Sequence, residues 1–267
     1  MLEVIDVGGA TMTKREKAFL YHGVRLDDSI PSGQDALLIN KEYSCFAVAD
    51  GVGMSPRSDI AARAVCDAYL DVARAQGDDG MVIRSTRRSD VERTLRYIHS
   101  AALGALATTT FTGLTIHPDN SASYLHVGDS QLVLLRDDEL THYTSEQARE
   151  GGYELLNYLG TQPEWADMGY ARHSLDLTIE ANAFSLTKLE AEWGNVLLRD
   201  GDRFALMTDG VSGSGDHDRL SDKQLKRYMH RRLGATACAQ LLLQESHKID
   251  DSTVAVIDIG VAGKAPK

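Results

Sequence analysis

Three apolar runs in the middle of the chain, residues 109–116, 122–127 and 131–135, are separated only by His117-Pro118-Asp119-Asn120 and by Gly128-Asp129-Ser130. Strands joined this tightly must pair antiparallel, because a parallel partner needs a crossover of about a dozen residues or more. The same constraint acts twice more. Residues 36–39 lead through Asn40-Lys41-Glu42 into an apolar run that ends at Asp50, and 193–198 lead through Arg199-Asp200-Gly201-Asp202 into 204–208. A closing strand is predicted over 253–259, and the N-terminal stretch offers only weak strand signals.

Helical periodicity fills the gaps. Ile60, Ala64, Val65, Ala68, Tyr69, Val72 and Ala73 share one face over 58–75, and Gly77-Asp78-Asp79-Gly80 ends that helix. Ser89-Asp90-Val91-Glu92 and Ser221-Asp222-Lys223-Gln224 have the spacing of capping boxes, in which two side chains satisfy amides at a helix start. The second opens a helix to about residue 232, and another is predicted over 235–245. Strands with short turns beside paired helices define an α+β chain, with antiparallel sheets carrying helices on their outer faces. Residues 1–260 are expected to form a single domain, 261–267 a frayed tail, and the polar, Gly-containing stretch 141–185 a candidate flap.

The net charge of −11 argues against a nucleic-acid or anionic-membrane partner, because both need a basic surface. No stretch approaches the roughly 20 apolar residues of a membrane helix, and the first residues lack a signal-peptide layout. Cys45, Cys66 and Cys238 show no CxxC spacing and read as buried, inert thiols, so a reduced cytoplasmic setting is expected.

The acidic residues are distributed in a pattern. Asp50 and Asp209 each end an apolar run and precede glycine, in CFAVADGV and FALMTDGV. Asp129 sits in a turn between strands, Asp250 and Asp251 precede the last strand, and Asp35 opens the run ahead of Asp50. An isolated Asp-Gly is usually just a turn. Recurrence at the strand ends changes that reading, because carboxylates gathered at an apolar rim repel one another and resist ionising unless a cation joins them. Mg²⁺ and Mn²⁺ suit such a rim: they take oxygen ligands and keep several waters, so few carboxylates suffice. The glycines let the backbone turn and approach an ion closely.

The order of these motifs resembles that of the metal-dependent Ser/Thr phosphatases of the protein phosphatase 2C type, in their bacterial form. Gln34-Asp35-Ala36 is similar to the family's opening Glu/Gln-Asp, and residues 46–53 with Ser58-Asp59-Ile60-Ala61 resemble ADGMGG…GExA. Thr108-Thr109-Thr110, Val127-Gly128-Asp129-Ser130 and the basic-acidic turn Arg136-Asp137-Asp138-Glu139-Leu140 resemble GTT, VGDSR and the turn that follows it. Leu159-Gly160 looks like LG, Asp200-Gly201-Asp202 with Thr208-Asp209-Gly210-Val211 like GD…SDGL, and Asp250-Asp251-Ser252-Thr253 like DNxT.

The resemblance implies a central sandwich of two antiparallel β-sheets flanked by α-helices on both faces, with two Mn²⁺ or Mg²⁺ ions at one end. In it Asp50 bridges both ions, Asp209 and Asp250 complete one site, and the Gly51 carbonyl serves the other. Asp129 helps hold a third, weaker ion, and Asp35 supports the centre from behind. The implied reaction is hydrolysis of phosphoserine or phosphothreonine on a protein, by in-line attack of a hydroxide that bridges the ions. The implied partners are a phosphorylated protein and a cognate Ser/Thr kinase, with the phosphatase itself a monomer.

Four positions depart from the family. Ile30 stands where an Arg usually grips the phosphate, which leaves Arg25 as the substitute candidate; Gln131 replaces the Arg after Gly-Asp-Ser; Val52 replaces a His proposed as general acid; and Asp251 replaces Asn. The alternative reading is a catalytically weak relative acting as a regulatory or phosphoprotein-binding module, and Ile30 is the feature that favours it. No GxSxG, HExxH or paired-Asp nucleophile motif supports a different hydrolase.

Overall fold

A computed structural model describes residues 1–14, 16, 33–52, 55, 57–75, 88–148, 155–160, 191–213 and 218–262. The strands are β1 (Leu2–Met12), β2 (Ala36–Asn40), β3 (Cys45–Ala49), β4 (Thr108–Thr109), β5 (Phe111–His117), β6 (Ser121–Val127), β7 (Gln131–Arg136), β8 (Glu139–His142), β9 (Leu159–Gly160), β10 (Glu192–Leu197), β11 (Arg203–Met207) and β12 (Ser252–Val261). The helices are α1 (Ser58–Arg74), α2 (Arg88–Ala105), α3 (Asp209–Ser212), α4 (Asp222–Tyr228) and α5 (Ala235–Glu245).

Two five-stranded sheets form, in the orders β1-β12-β11-β7-β8 and β10-β6-β5-β3-β2, and their pairings are antiparallel. The helices cover the outer faces, as the sequence leads one to expect. Three apolar layers result. One lies between α1 and α2 and the second sheet, around Tyr69, Leu95, Ile98 and Phe111. Another lies between the sheets, around Phe46, Leu114, Leu132, Phe204 and Ile257. The third lies between the first sheet and α4 and α5, around Met207, Leu225, Met229 and Leu242. The strands feeding the middle layer are buried on both faces, which is why CFAVA and RFALM are continuous apolar runs without polar alternation.

Local chemistry accounts for several boundaries. The β7–β8 hairpin turns through Asp137 and Asp138, at φ 51° and 62°. Two successive left-handed residues match the right-handed twist of the flanking strands. Ser221 forms the expected capping box with Gln224 at the start of α4, but that helix ends at Tyr228 rather than near 232. Ser89, by contrast, is the second residue of α2 rather than its cap.

One expectation changes. The weak N-terminal signal becomes the eleven-residue strand β1, paired along its length with β12. The candidate flap 141–185 opens on β8 and on a stretch tied back to the body. There Gln147 N donates to Gly128 O at 2.9 Å, and Gly128 N donates to Gln147 Oε1 at 2.8 Å. Residues 161–190, most of that stretch, lie outside the described residues, as does most of the tail. Cys45, Cys66 and Cys238 are buried and unbridged, and burial pushes the Cys45 thiol up to about 12, an inert state. Among the described residues no helix is long and apolar enough to cross a membrane.

Candidate metal centre

The strand ends that carry Asp50, Asp129 and Asp209 meet at one end of the sandwich. One carboxylate oxygen from each lies within 4.8 Å of the others. Asp50 follows β3, Asp129 sits between β6 and β7, and Asp209 is the first residue of the short α3 that follows β11. The two sheets thus contribute from opposite sides.

The backbone around Asp50 is fixed by the threonine run. Asp50 N donates to Thr110 Oγ1 at 3.0 Å, and Asp50 O accepts from Thr110 N at 2.8 Å and Thr109 Oγ1 at 2.9 Å. Gly51 forms an antiparallel bridge with Thr109, but the bonds that frame it come from Thr110 N to Asp50 O and from Val52 N to Thr108 O. The ladder therefore does not consume the Gly51 carbonyl.

Both glycines after the aspartates are needed for close approach. A Cβ on Gly51 would come within 2.6 Å of Gln34 O and 2.8 Å of Ser58 O. A Cβ on Gly210 would run into the Asp251 carbonyl. These are contacts that no side chain tolerates, so the Asp-Gly pairs pack the strand ends against the segments that bring in Gln34 and Asp251.

Asp35 lies behind the cluster. Its Oδ2 accepts from Thr208 Oγ1 at 2.9 Å, and Thr208 Oγ1 in turn accepts from Thr253 N at 2.9 Å. Asp250 stands beside the tight group rather than within it. The ammonium of Lys248 bonds to Asp209 Oδ2 and lies 3.2 Å from Asp250 Oδ2, linking the two carboxylates. Asp251 uses both oxygens on backbone amides, accepting from Lys14 N at 2.6 Å and from Gln34 N at 2.8 Å. Gln34 also donates through Nε2 to Ser58 Oγ at 2.6 Å, joining this corner to the start of α1. Gln131, where the family carries Arg, is buried in β7 opposite Met207. Arg25 and Ile30 lie outside the described residues.

The electrostatics are those of carboxylates short of a cation. Burial, reinforced by the charges of Asp35, Asp209, Asp250 and Asp129, holds the Asp50 carboxyl well above the usual range. Asp129 is raised by burial and by Asp209, and Asp250 by burial against the opposing pull of Lys248. Burial pushes Asp35 up to about 7. Among the described residues, Asp35 Oδ1, Asp129 Oδ1 and Asp209 Oδ1 are buried without any hydrogen-bond partner. Buried carboxylate oxygens without donors are costly, and each calls for an explanation. An all-oxygen donor set of this kind fits a hard divalent cation such as Mg²⁺ or Mn²⁺.

Sequence reasoning found every carboxylate of the cluster; the geometry groups Asp50, Asp129 and Asp209 most tightly and sets Asp250 beside them, linked to Asp209 through Lys248. Sequence reasoning missed Lys248 altogether. The only available signal was a lysine two residues before Asp250, which looks like any surface residue.

Two antiparallel sheets with helices outside and a carboxylate cluster at one end make up an α+β sandwich with a candidate metal centre. The model of the family described as protein phosphatase 2C matches residues 29–246, and the chain belongs to that family. The protein phosphatase PhpP of Streptococcus pneumoniae serotype 2 is 32% identical over 104 residues, a match covering 38% of this chain and 40% of that relative's length. The fold is shared with the Mycobacterium tuberculosis serine/threonine phosphatase PstP/Ppp, at 21% identity and a TM-score of 0.61, over 96% of this chain and 100% of that one. A structure of the PstP catalytic domain in complex with two manganese ions matches at 22% identity and a TM-score of 0.60, over 98% and 100% of the two chains.

Proposed function

We propose that the protein is a metal-dependent phosphoprotein phosphatase that hydrolyses phosphoserine and phosphothreonine. The observation that carries this reading is the Asp50–Asp129–Asp209 cluster, with its partnerless buried oxygens, in a chain of the protein phosphatase 2C family. Two Mn²⁺ or Mg²⁺ ions are assigned to it, as in the manganese complex of PstP. In this assignment Asp50, Asp209, Asp250 and the Gly51 carbonyl would hold the two ions, Asp50 being shared between them, Asp129 would help hold a third, and Asp35 would support them from behind. When bound, the ions supply Lewis-acid polarisation of a phosphoryl group and lower the pKa of water.

The chain's own residues prepare for that chemistry. The threonine ladder from Thr108 to Thr110 fixes the Asp50 backbone, so its carboxylate is aimed before any ligand arrives. Thr208 holds one oxygen of Asp35, and the other is buried without a hydrogen-bond partner among the described residues. The Asp251 carboxylate, tied to two amides, fixes the strand start that carries Asp250. Val52 offers no proton, so protonation of the leaving alkoxide falls to water. Arg25 is assigned to the phosphate in place of the Arg that Ile30 replaces. The protein is further proposed to act as a single domain and a monomer in the cytoplasm, on the product of a Ser/Thr kinase.

The test is turnover of a phosphothreonine peptide in excess Mn²⁺. Phosphate release that is abolished in Asp50→Ala protein supports the reading. Release by an Ile30→Arg variant but not by the natural sequence supports the regulatory module instead, and release unaffected by Asp50→Ala and Asp209→Ala overturns the site assignment.

A further inference from the structure

Lys248 lies in the short segment between α5 and β12, two residues ahead of Asp250. Its carbonyl accepts from Asp250 N at 3.0 Å, a tight turn that folds the side chain back along the carboxylates. The side chain is only 19% exposed, and its ammonium touches Asp209 Oδ2 and lies 3.2 Å from Asp250 Oδ2. Burial alone would lower the lysine's pKa, but the charges of Asp209, Asp250 and Asp50 raise it above the ordinary value. This arrangement differs from a solvent-exposed ion pair, whose worth is small and easily screened. An ammonium is a compact and strongly hydrated charge, and it surrenders that hydration only where carboxylates replace it.

The oxygens that Lys248 engages are those that a divalent ion at the Asp209–Asp250 position would need. An ammonium and a doubly charged ion cannot share them without strong repulsion at short range. The lysine also offsets part of the repulsion among the aspartates, so the chain carries its own partial substitute for a metal. Of the groups facing it, Asp209, Asp250 and Asp50 all attract it.

We propose that Lys248 is a tethered competitor for divalent cations, occupying the Asp209–Asp250 carboxylate pair so that an ion binds there only when the side chain swings out. The proposal rests on the metal-centre reading above. Lys248 thereby sets the metal concentration at which the centre fills, and it keeps the metal-free protein folded. It is a positioning residue whose charge acts through the ligands rather than on the substrate.

The experiment is calorimetric titration of Mn²⁺ into the chelator-treated full chain, comparing the natural sequence with Lys248→Met, Lys248→Gln and Lys248→Arg. Removing the charge is expected to tighten at least one binding step by about tenfold, within the usual range of coupling between two ligands of one site. Lys248→Arg, which keeps the charge, is expected to stay near the natural affinity. Thermal melts of the same proteins supply a second readout: the neutral variants are expected to melt lower without metal and to gain more from saturating Mn²⁺. Measurable Mn²⁺ binding of equal strength in the natural protein and in both neutral variants overturns the competitor role and leaves the metal centre standing. Failure of Mn²⁺ to bind any of the four overturns both. If Lys248→Met does not fold in chelator, Lys248→Gln and the Mn²⁺-dependent melts carry the same comparison.

Discussion

Strands β11 and β12 lie side by side, and their two ends treat buried charge in opposite ways. At one end Arg203 faces Asp258 across the ladder, with Nε to Oδ1 and Nη2 to Oδ2 both at 2.6 Å. The remaining donors go to the carbonyls of Met229 and His230 at 3.1 Å and of Leu233 at 2.7 Å. Every N–H of the guanidinium is used, and both carboxylate oxygens are met. At the other end Asp209 and Asp250 share one lysine, and Asp129 Oδ1, Asp209 Oδ1 and Asp35 Oδ1 are buried without partners. The fold can evidently complete a buried charge network within this sheet. Where it leaves one incomplete, a cation from outside is the partner we propose.

The comparison can be broken most strongly at the open end. Asp50→Ala or Asp209→Ala is expected to cut phosphopeptide turnover by on the order of a thousandfold or more, since the ligands act as a unit. Asp50→Ala is expected to leave the metal-free melting temperature unchanged or higher, because it removes one repelling carboxylate, whereas Asp209→Ala also strands the Lys248 ammonium and is expected to lower it; circular dichroism melts in chelator check this. At the closed end the order reverses. Arg203→Met strands Asp258 and is expected to cost about 3–5 kcal/mol in denaturant titration, while the folded fraction retains its turnover.

Acidity gives a further contrast. The folded protein holds a proton on Asp35 up to a pH of about 7, against an ordinary value of 3.8. The unfolded chain releases that proton near 4, so the folded state binds more protons between the two values. Stability of the metal-free protein is therefore expected to be fullest below about 4 and to decline as pH rises towards 7. The raised carboxyls of Asp50, Asp129 and Asp250 add to the slope with the same sign. Denaturant midpoints measured against pH check this, with Asp35→Asn flattening the decline and saturating Mn²⁺ opposing it. The smallest expected effect is at Asp251. Exchanging its carboxylate for an amide leaves one acceptor oxygen for two backbone donors, so Asp251→Asn is expected to lose about 1 kcal/mol, the worth of one hydrogen bond, with turnover reduced only severalfold.

The parts of this architecture legible in the sequence were those with a local cause. Tight turns dictated the antiparallel pairings, and continuous apolar runs marked β3 and β11 as strands. β1 was nearly invisible because Gly8-Gly9 punctuates it and its residues are mostly half-buried; its identity comes from the partner β12 and from α5, which packs against Gly8. At the site, the aspartates announced themselves by ending strands, but their relative distances depend on how two sheets stack, which no local pattern encodes. The tight grouping of Asp129 with Asp50 and Asp209 is of that kind. Lys248 was illegible because its role arises only where α5 and β12 bring it beside Asp209, 39 residues away in sequence.

The central claim, that the open end of the sandwich is a metal centre, is tested most directly by the anomalous diffraction of a crystal of this protein grown in Mn²⁺. The expected result is manganese bonded to the carboxylates of Asp50 and Asp209, with the Lys248 ammonium displaced from between Asp209 and Asp250. An anomalous map with no peak within bonding distance of those carboxylates, at a Mn²⁺ concentration that saturates turnover, would contradict it.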